Sequence, residues 1–454
     1  MTGNVSTKMG QSHFERAEAE MLAKTQKCQA MTDDREAMLF SGMRANLHLP
    51  HPIYIASGDG PLVTDIDGNE YIDTCMGFGV CVLGHRHPDI ASAIVRVSQT
   101  GWHFGIHSQE QLPLARLLHD AIPCADRILF CNTGSEATGY AMRAARAFTG
   151  KDKVGIFDGY WHGMHDYCMV APSPETSRDR PKGVDVSSGV PKAVHDLIVP
   201  LPYRNPSALD IIRENRDGLA MVIVEPVQHS NPQREVGDYL KSVQEVCREC
   251  NVLFLLDEMV TGFRLAYGGG QEFFDIIPDL ATLGKACGGG LPIGVVAGRE
   301  DIMRMFLAED GRQSVFTGGT FTGNPLSMAA GTAAVQYISE HPEIYGHMKE
   351  QGDRLTASFN GYTKRHNMPV HMGNVGSMFH IYFQSAPVWS SFDIDEKPLA
   401  AAQRAFLMHA LNLGVLISGG NRYYLSAAHS SEVVDRIIEV FEEALTLVRE
   451  DGLF

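Results

Sequence analysis

A lysine stands in Leu283-Gly284-Lys285-Ala286-Cys287-Gly288-Gly289-Gly290, just past one apolar run, and an aspartate closes another in Leu255-Leu256-Asp257-Glu258. A lysine beside glycines is ordinarily a surface residue. Buried, its pKa falls and it becomes a nucleophile and proton carrier. An aspartate at the end of an apolar run is expected to be buried, and a buried carboxylate needs a cationic partner. Together they supply the two attachments that pyridoxal phosphate requires. An amine forms a Schiff base with its aldehyde, and a carboxylate keeps the pyridine nitrogen protonated so that the ring accepts electrons.

Other chemistry-bearing residues fall at the ends of similar runs. Ile128-Leu129-Phe130 is followed by Asn132-Thr133-Gly134-Ser135-Glu136, and Val154 to Phe157 by Asp158-Gly159-Tyr160-Trp161-His162. Val222 to Val224 leads into Glu225-Pro226-Val227-Gln228. Apolar runs of this length alternating with helical stretches, such as Ser135 to Phe148, imply strands buried on both faces of a mostly parallel sheet. Ligands of such sheets bind outside the carboxyl ends of the strands, so these five ends are expected to converge on one crevice. In Thr133-Gly134-Ser135, glycine admits a phosphate close to the backbone, and the helix that follows offers amides and a favourable dipole. The same residues also suit a plain helix cap. Trp161 could stack on a planar cofactor or pack in the core.

Several competing readings are weaker. His162 and His165 lack third and fourth partners for a metal, so no metal is expected. Asp65, Asp67 and Asn69 suggest a calcium loop, but such a loop needs glycine at its sixth position, and Gly68 is at the fourth. Asp67-Gly68-Asn69 is therefore read as a hairpin turn. Cys247 and Cys250 have CxxC spacing without a second pair, which favours a helix end packed beneath a strand.

The chain has 454 residues, 44% of them hydrophobic and 20% charged, with a net charge of −16. The length implies two domains or one large α/β domain with an appendage. The acidic balance argues against nucleic-acid binding, which needs a clustered basic surface. Nine scattered cysteines fit a reducing compartment. No secretory leader is read in the polar first thirty residues, and no apolar run reaches membrane-spanning length. The expectation is a cytoplasmic protein. Glu15 to Lys27 reads as an amphipathic helix, and the last third, with helices at Met328–Ile338 and Glu432–Arg449, as a smaller α+β domain.

These motifs together resemble the class III aminotransferases, pyridoxal-phosphate enzymes of fold type I, and most of all their glutamate-1-semialdehyde aminomutase-like branch. The resemblance runs from about Gly58 onward. It is carried by Asp65 to Asp73, Gly84-His85-Arg86-His87-Pro88, Asn132 to Ala137, Asp257 to Arg264, Lys285 and Gly319-Thr320-Phe321-Thr322-Gly323-Asn324-Pro325. It implies an α/β fold with a mostly parallel seven-stranded sheet between helices. The implied parts are an N-terminal segment over 1–80, a large cofactor domain over 81–335 and a small domain over 336–454.

By the same resemblance, Lys285 carries the cofactor as an aldimine, Asp257 pairs with the ring nitrogen, and Val260 and Trp161 pack its faces. Thr133, Gly134 and Ser135 surround the phosphate, and His162 and Glu225 line the cofactor site. Thr320 reaches the phosphate of a second subunit, which implies a homodimer with shared active sites. Arg44 and Arg422 are candidates for a substrate carboxylate. The chain departs from the aminomutase pattern at Ser418 to Ser426, which is shorter and has no acid. The expected reaction is therefore transfer from an amino acid or amine to a keto or aldehyde acceptor through pyridoxamine phosphate. A 2,1-aminomutase and a catalytically silent relative are the alternatives.

Overall fold

The computed structural model describes residues 12–36, 49–309, 313–417 and 423–454. Seven strands form the central sheet, in the order Arg127–Cys131, Gly294–Gly298, Leu280–Gly284, Leu253–Asp257, Leu219–Val224, Lys153–Phe157 and Ile198–Leu201. All pair in parallel except Gly294–Gly298, which is antiparallel to both its neighbours. The four strands between Leu219 and Gly298 are buried along their whole length, which is why they read as unbroken apolar runs rather than alternating ones.

Alternate residues of each strand enter different apolar layers. Leu253, Leu255 and Leu280 pack with Ala137, Ala141 and Ala145 of the Gly134–Thr149 helix. Phe254 and Leu256 pack instead with Leu240, Val243 and Cys247 of the Gly237–Glu249 helix. Helices therefore cover both faces, and the open ground for a ligand is the rim of the sheet. All nine cysteines are free thiols, and Cys247 and Cys250 are buried at that helix's end.

A second core joins the helices Glu343–Arg365, Ala400–Asn412 and Ser431–Glu450 to the strands His371–Val375, Met378–Tyr382 and Tyr423–Tyr424. The N-terminal strands Ile55–Asp59, Leu62–Asp65 and Glu70–Asp73 extend through Val415–Leu416, which pairs in parallel with Glu70–Asp73. Ala17 and Met21 pack on Met408 and Leu411.

The N-terminal helix differs from the single span expected over Glu15 to Lys27. It is two helices, His13–Lys24 and Gln26–Glu36, parted at Thr25, whose hydroxyl bonds the Met21 carbonyl. Asp67, part of the calcium-like run, instead accepts from the first amides of the second helix, Lys27 at 2.8 Å and Cys28 at 3.0 Å. It serves as a helix cap contributed from another part of the chain. Among the described residues no helix is long and apolar enough to cross a membrane.

Candidate active site

Two of the buried strands end side by side at Asp257 and Thr282, which are register partners. The Thr282 hydroxyl donates to Asp257 Oδ1 at 2.9 Å, and the Met259 amide donates to the same oxygen at 3.2 Å. The other oxygen, Oδ2, lies 2.6 Å from His162 Nδ1, with neither side chain reaching solvent. Glu258, next in the chain, is structural: it accepts from the amides of Gly270 and Gln271 and from the Thr261 hydroxyl.

Lys285 follows the Leu280–Gly284 strand and opens a 3-10 turn with φ of 51°, in the left-handed region. That backbone costs a side-chain-bearing residue about 1–2 kcal/mol and persists only where packing holds it. It turns the lysine into a cavity of about 310 Å3 together with Asp257, Glu225, Trp161, Met259 and Val260. Phe78, His229 and Tyr424 also line it. The volume suits a small heterocycle and its substrate. A larger cleft of about 630 Å3, lined by Arg234, Lys364 and His371 among others, holds no lysine–acid pair at strand ends.

Phe78 reaches the cavity from a rare backbone. Met76, Gly77, Phe78 and Gly79 all have positive φ, between 47° and 83°, which makes a left-handed turn. Asp73 starts it by accepting from the amides of Cys75 and Met76. Buried Arg264 holds its far end, donating to the Gly79 carbonyl at 2.8 Å, to Leu425 O at 2.9 Å and to Ser377 Oγ at 2.8 Å. The same guanidinium lies 5.0 Å above the Tyr424 ring. One cation thus ties together both aromatic walls.

Glu225 extends from the Leu219–Val224 strand. Its Oε1 accepts from the Trp161 amide at 2.8 Å, and Oε2 accepts from the His229 amide at 3.0 Å and lies 2.8 Å from His229 Nδ1. Burial alone would raise its pKa. The neighbouring His229 charge and hydrogen bonds, with His162 adding to them, bring it down instead to about 2. Glu225 is therefore ionised, and it fixes both the loop of Trp161 and the ring of His229.

The Gly134–Thr149 helix begins against this cavity. A Cβ on Gly134 would lie 2.8 Å from Met259 Sδ, and one on Gly163 only 2.7 Å from Ser135 Oγ. Thr133 caps the helix through Glu136 N, and Ser135 Oγ accepts from Met164 N at 2.9 Å. The first-turn amides of Gly134 and Ser135 have no acceptor within the helix, which leaves an anion site at its mouth. A buried acid, a strained lysine, apolar Val260 and this two-glycine cradle fit pyridoxal phosphate in the chemistry of every donor.

Of the residues expected at the site, Lys285, Asp257, Glu225, Trp161 and Val260 line one cavity. Gly134, Ser135 and Thr133 form the adjoining helix mouth, and His162 stands behind Asp257 rather than in the cavity wall. Thr320 is exposed and outside that wall. Arg44 and Arg422 lie outside the described residues. His229, Met259 and Tyr424 were given no role by sequence reasoning. Only the proximity of His229 to Glu225 in the chain could have pointed to it.

Comparison with known proteins places this arrangement. The sequence matches the family Aminotransferase class-III over residues 43–445. It is 37% identical over 401 residues to the glutamate-1-semialdehyde 2,1-aminomutase of Methanosarcina acetivorans, covering 87% of this chain and 92% of that protein. The fold superposes on an omega-transaminase from Sphaerobacter thermophilus with a TM-score of 0.82 and 27% identity, covering 98% of this chain and 100% of the other. It also matches a glutamate-1-semialdehyde aminomutase from Pseudomonas aeruginosa in complex with PMP, with a TM-score of 0.85 and 20% identity, over 96% and 97% of the two chains.

Proposed function

The chain belongs to the class III aminotransferases, in the glutamate-1-semialdehyde aminomutase-like branch, and from that premise we propose that it moves an amino group within one substrate, as a 2,1-aminomutase does. The observation that carries the intramolecular form is the near full-length likeness to curated aminomutases. The cofactor is pyridoxal 5′-phosphate, which when bound supplies a sink for the electrons left behind as the substrate loses a proton.

The protein's own groups do the rest. Lys285 would hold the cofactor through its amine and, when free of it, would take a proton from the substrate carbon bearing nitrogen and return it to a neighbouring atom. Asp257, held by His162 and Thr282, keeps a proton on the ring nitrogen. Gly134 and Ser135 receive the phosphate at the helix mouth beside the Thr133 cap, and Val260 and Trp161 enclose the ring. Glu225 holds the Trp161 loop in place.

A paired assembly belongs to the same reading, with Thr320 offered to a second copy's phosphate. Exposed Trp102, Ile106, Phe316 and Phe321 support it, since Ile106 and Phe316 are 80% and 79% accessible in the single chain. Asn324 Nδ2 joins the two segments by donating to the Trp102 carbonyl at 3.0 Å.

A second reading, transfer between two molecules, is favoured by the short acid-free segment Ser418 to Ser426 and by the omega-transaminase likeness. One experiment separates the two. An α-amino aldehyde supplied alone should yield the isomer with nitrogen on the neighbouring carbon. A strict need for an added keto acid or aldehyde would overturn the intramolecular form.

A further inference from the structure

Cys81, His85 and Asp73 form a chain of contacts that the reaction described above does not use. His85 Nε2 lies 2.7 Å from Asp73 Oδ2, and its Nδ1 lies 3.8 Å from Cys81 Sγ. An ionised carboxylate can only accept, so Nε2 carries a proton. Asp73 is also the main cause that raises the His85 pKa to about 10, so the ring is an imidazolium at neutral pH. It therefore presents Nδ1–H to the sulfur. A cation beside a sulfur favours the thiolate, the form that attacks carbon. The ring is held from behind as well. A Cβ on Gly58 would lie 2.9 Å from His85 Cγ, and the His85 amide and carbonyl both bond Gly60, at 2.8 and 3.0 Å. A nucleophile, a proton carrier beside it and an acid that orients the carrier are the parts of an activated thiol.

This thiol has a cavity of its own. Cys81 and His85 line a space of about 260 Å3 whose wall does not include Lys285. Ile90, Ile94 and Ile338 give that wall an apolar side. His87 lines it too, and its Nδ1, shut off from solvent, has no hydrogen-bond partner among the described residues. Burial lowers the His87 pKa, so this ring is uncharged at neutral pH. A buried polar atom without a partner is costly, and a ligand's carbonyl oxygen would supply an acceptor for an N–H there. The cavity thus offers a nucleophile, room for a short hydrocarbon tail and a donor for a carbonyl.

We infer that Cys81, with His85 and Asp73, forms a second reactive site that adds covalently to small α,β-unsaturated carbonyl compounds with a short apolar tail. The sulfur forms a bond to the β-carbon while the electron pair of the C=C bond moves toward the α-carbon and the carbonyl oxygen. The α-carbon then takes a proton from His85 Nδ1, and the proton released by the thiol restores it. The net change is addition of S–H across the double bond, with no oxidant and no leaving group. His85 is the proton carrier of this step, and Asp73 positions it.

The test treats the cofactor-loaded protein with ethyl vinyl ketone, digests it at intervals and follows the adduct on each cysteine by mass spectrometry. Cys75 and Cys81 are the cysteines that are not fully buried, so Cys75 is the internal reference, and fragment ions tell the two apart. Cys81 should take the adduct at least about tenfold faster than Cys75. His85→Asn should slow addition at Cys81 by about 10²-fold, the lower end of what a positioned proton carrier contributes, and leave the rate at Cys75 unchanged. If that variant does not fold, the wild-type comparison of Cys81 with Cys75 decides alone. A Cys81 no faster than Cys75, or a His85→Asn rate within threefold of wild type, overturns the assignment.

Discussion

Asp257 Oδ2 and His162 Nδ1 lie 2.6 Å apart, both sealed from solvent, while Thr282 bonds the opposite oxygen of the same carboxylate. The acid is thereby fixed in direction before any ligand arrives. Its remaining task is to meet a cation in the cavity, because a buried charge is stable only when paired.

Asp257→Asn keeps the size of the side chain and removes the charge. We expect kcat to fall by about 10²- to 10⁴-fold, the range of a positioned proton-holding group. Steady-state kinetics on the cofactor-saturated variant measure it, and a kcat within threefold of wild type would remove Asp257 from the mechanism.

Gly163→Ala tests the helix mouth from outside the cavity. Gly163 has φ of 111°, and an added methyl would press on Ser135, 2.7 Å from Oγ and 2.8 Å from Cα. Strain of about 1–3 kcal/mol at the phosphate end predicts a cofactor Kd raised about tenfold or more. Absorbance titration of apoprotein with pyridoxal phosphate gives the number, and an unchanged Kd would place the phosphate elsewhere.

How much of this was legible in the sequence follows from what each residue depends on. Asp257, Glu225 and Lys285 stand at the ends of buried strands and Trp161 in the loop after another, so unbroken apolar runs marked them out and the rule of strand ends joined them. The Phe78 turn was not legible, because Met76 and Phe78 are non-glycine residues in the left-handed region, held there by distant Asp73 and Arg264. His229 escaped for a similar reason. Its spacing from Glu225 resembles a helical pair, but the segment is a non-helical loop after a strand, and only the fold brings the ring back to the carboxylate. The break at Thr25 depends on Asp67, about forty residues away, capping the second helix.

His85 gives a pH dependence of stability. The hydrogen bond from its Nε2 to Asp73, 2.7 Å long, is the main cause that pushes its pKa up to about 10, with Cys81 adding to it against the opposing effect of burial. Because the folded value is raised, this contribution is full below the unfolded value of about 6.5 and is lost as pH rises through about 10. Urea unfolding at pH 6, 8 and 10 should show the gap between wild type and Asp73→Asn shrinking toward pH 10. A gap that stays constant or widens would contradict the pairing.

Arg264→Leu removes the cation that ties Gly79, Ser377 and Leu425 together. Three buried acceptors lose their donor, so we expect a destabilisation of about 3 kcal/mol, seen as a lower urea midpoint. A change below about 0.5 kcal/mol would show that the turn carrying Phe78 stands without it.

The most direct measurement is where pyridoxal phosphate attaches. The loaded protein is reduced with borohydride, digested and mapped by mass spectrometry, alongside Lys285→Ala. The account predicts the cofactor's mass on the peptide holding Lys285, none on any peptide of the variant, and activity lower by at least about 10² in that variant. Attachment at another lysine, or a Lys285→Ala protein that turns over normally, would contradict it.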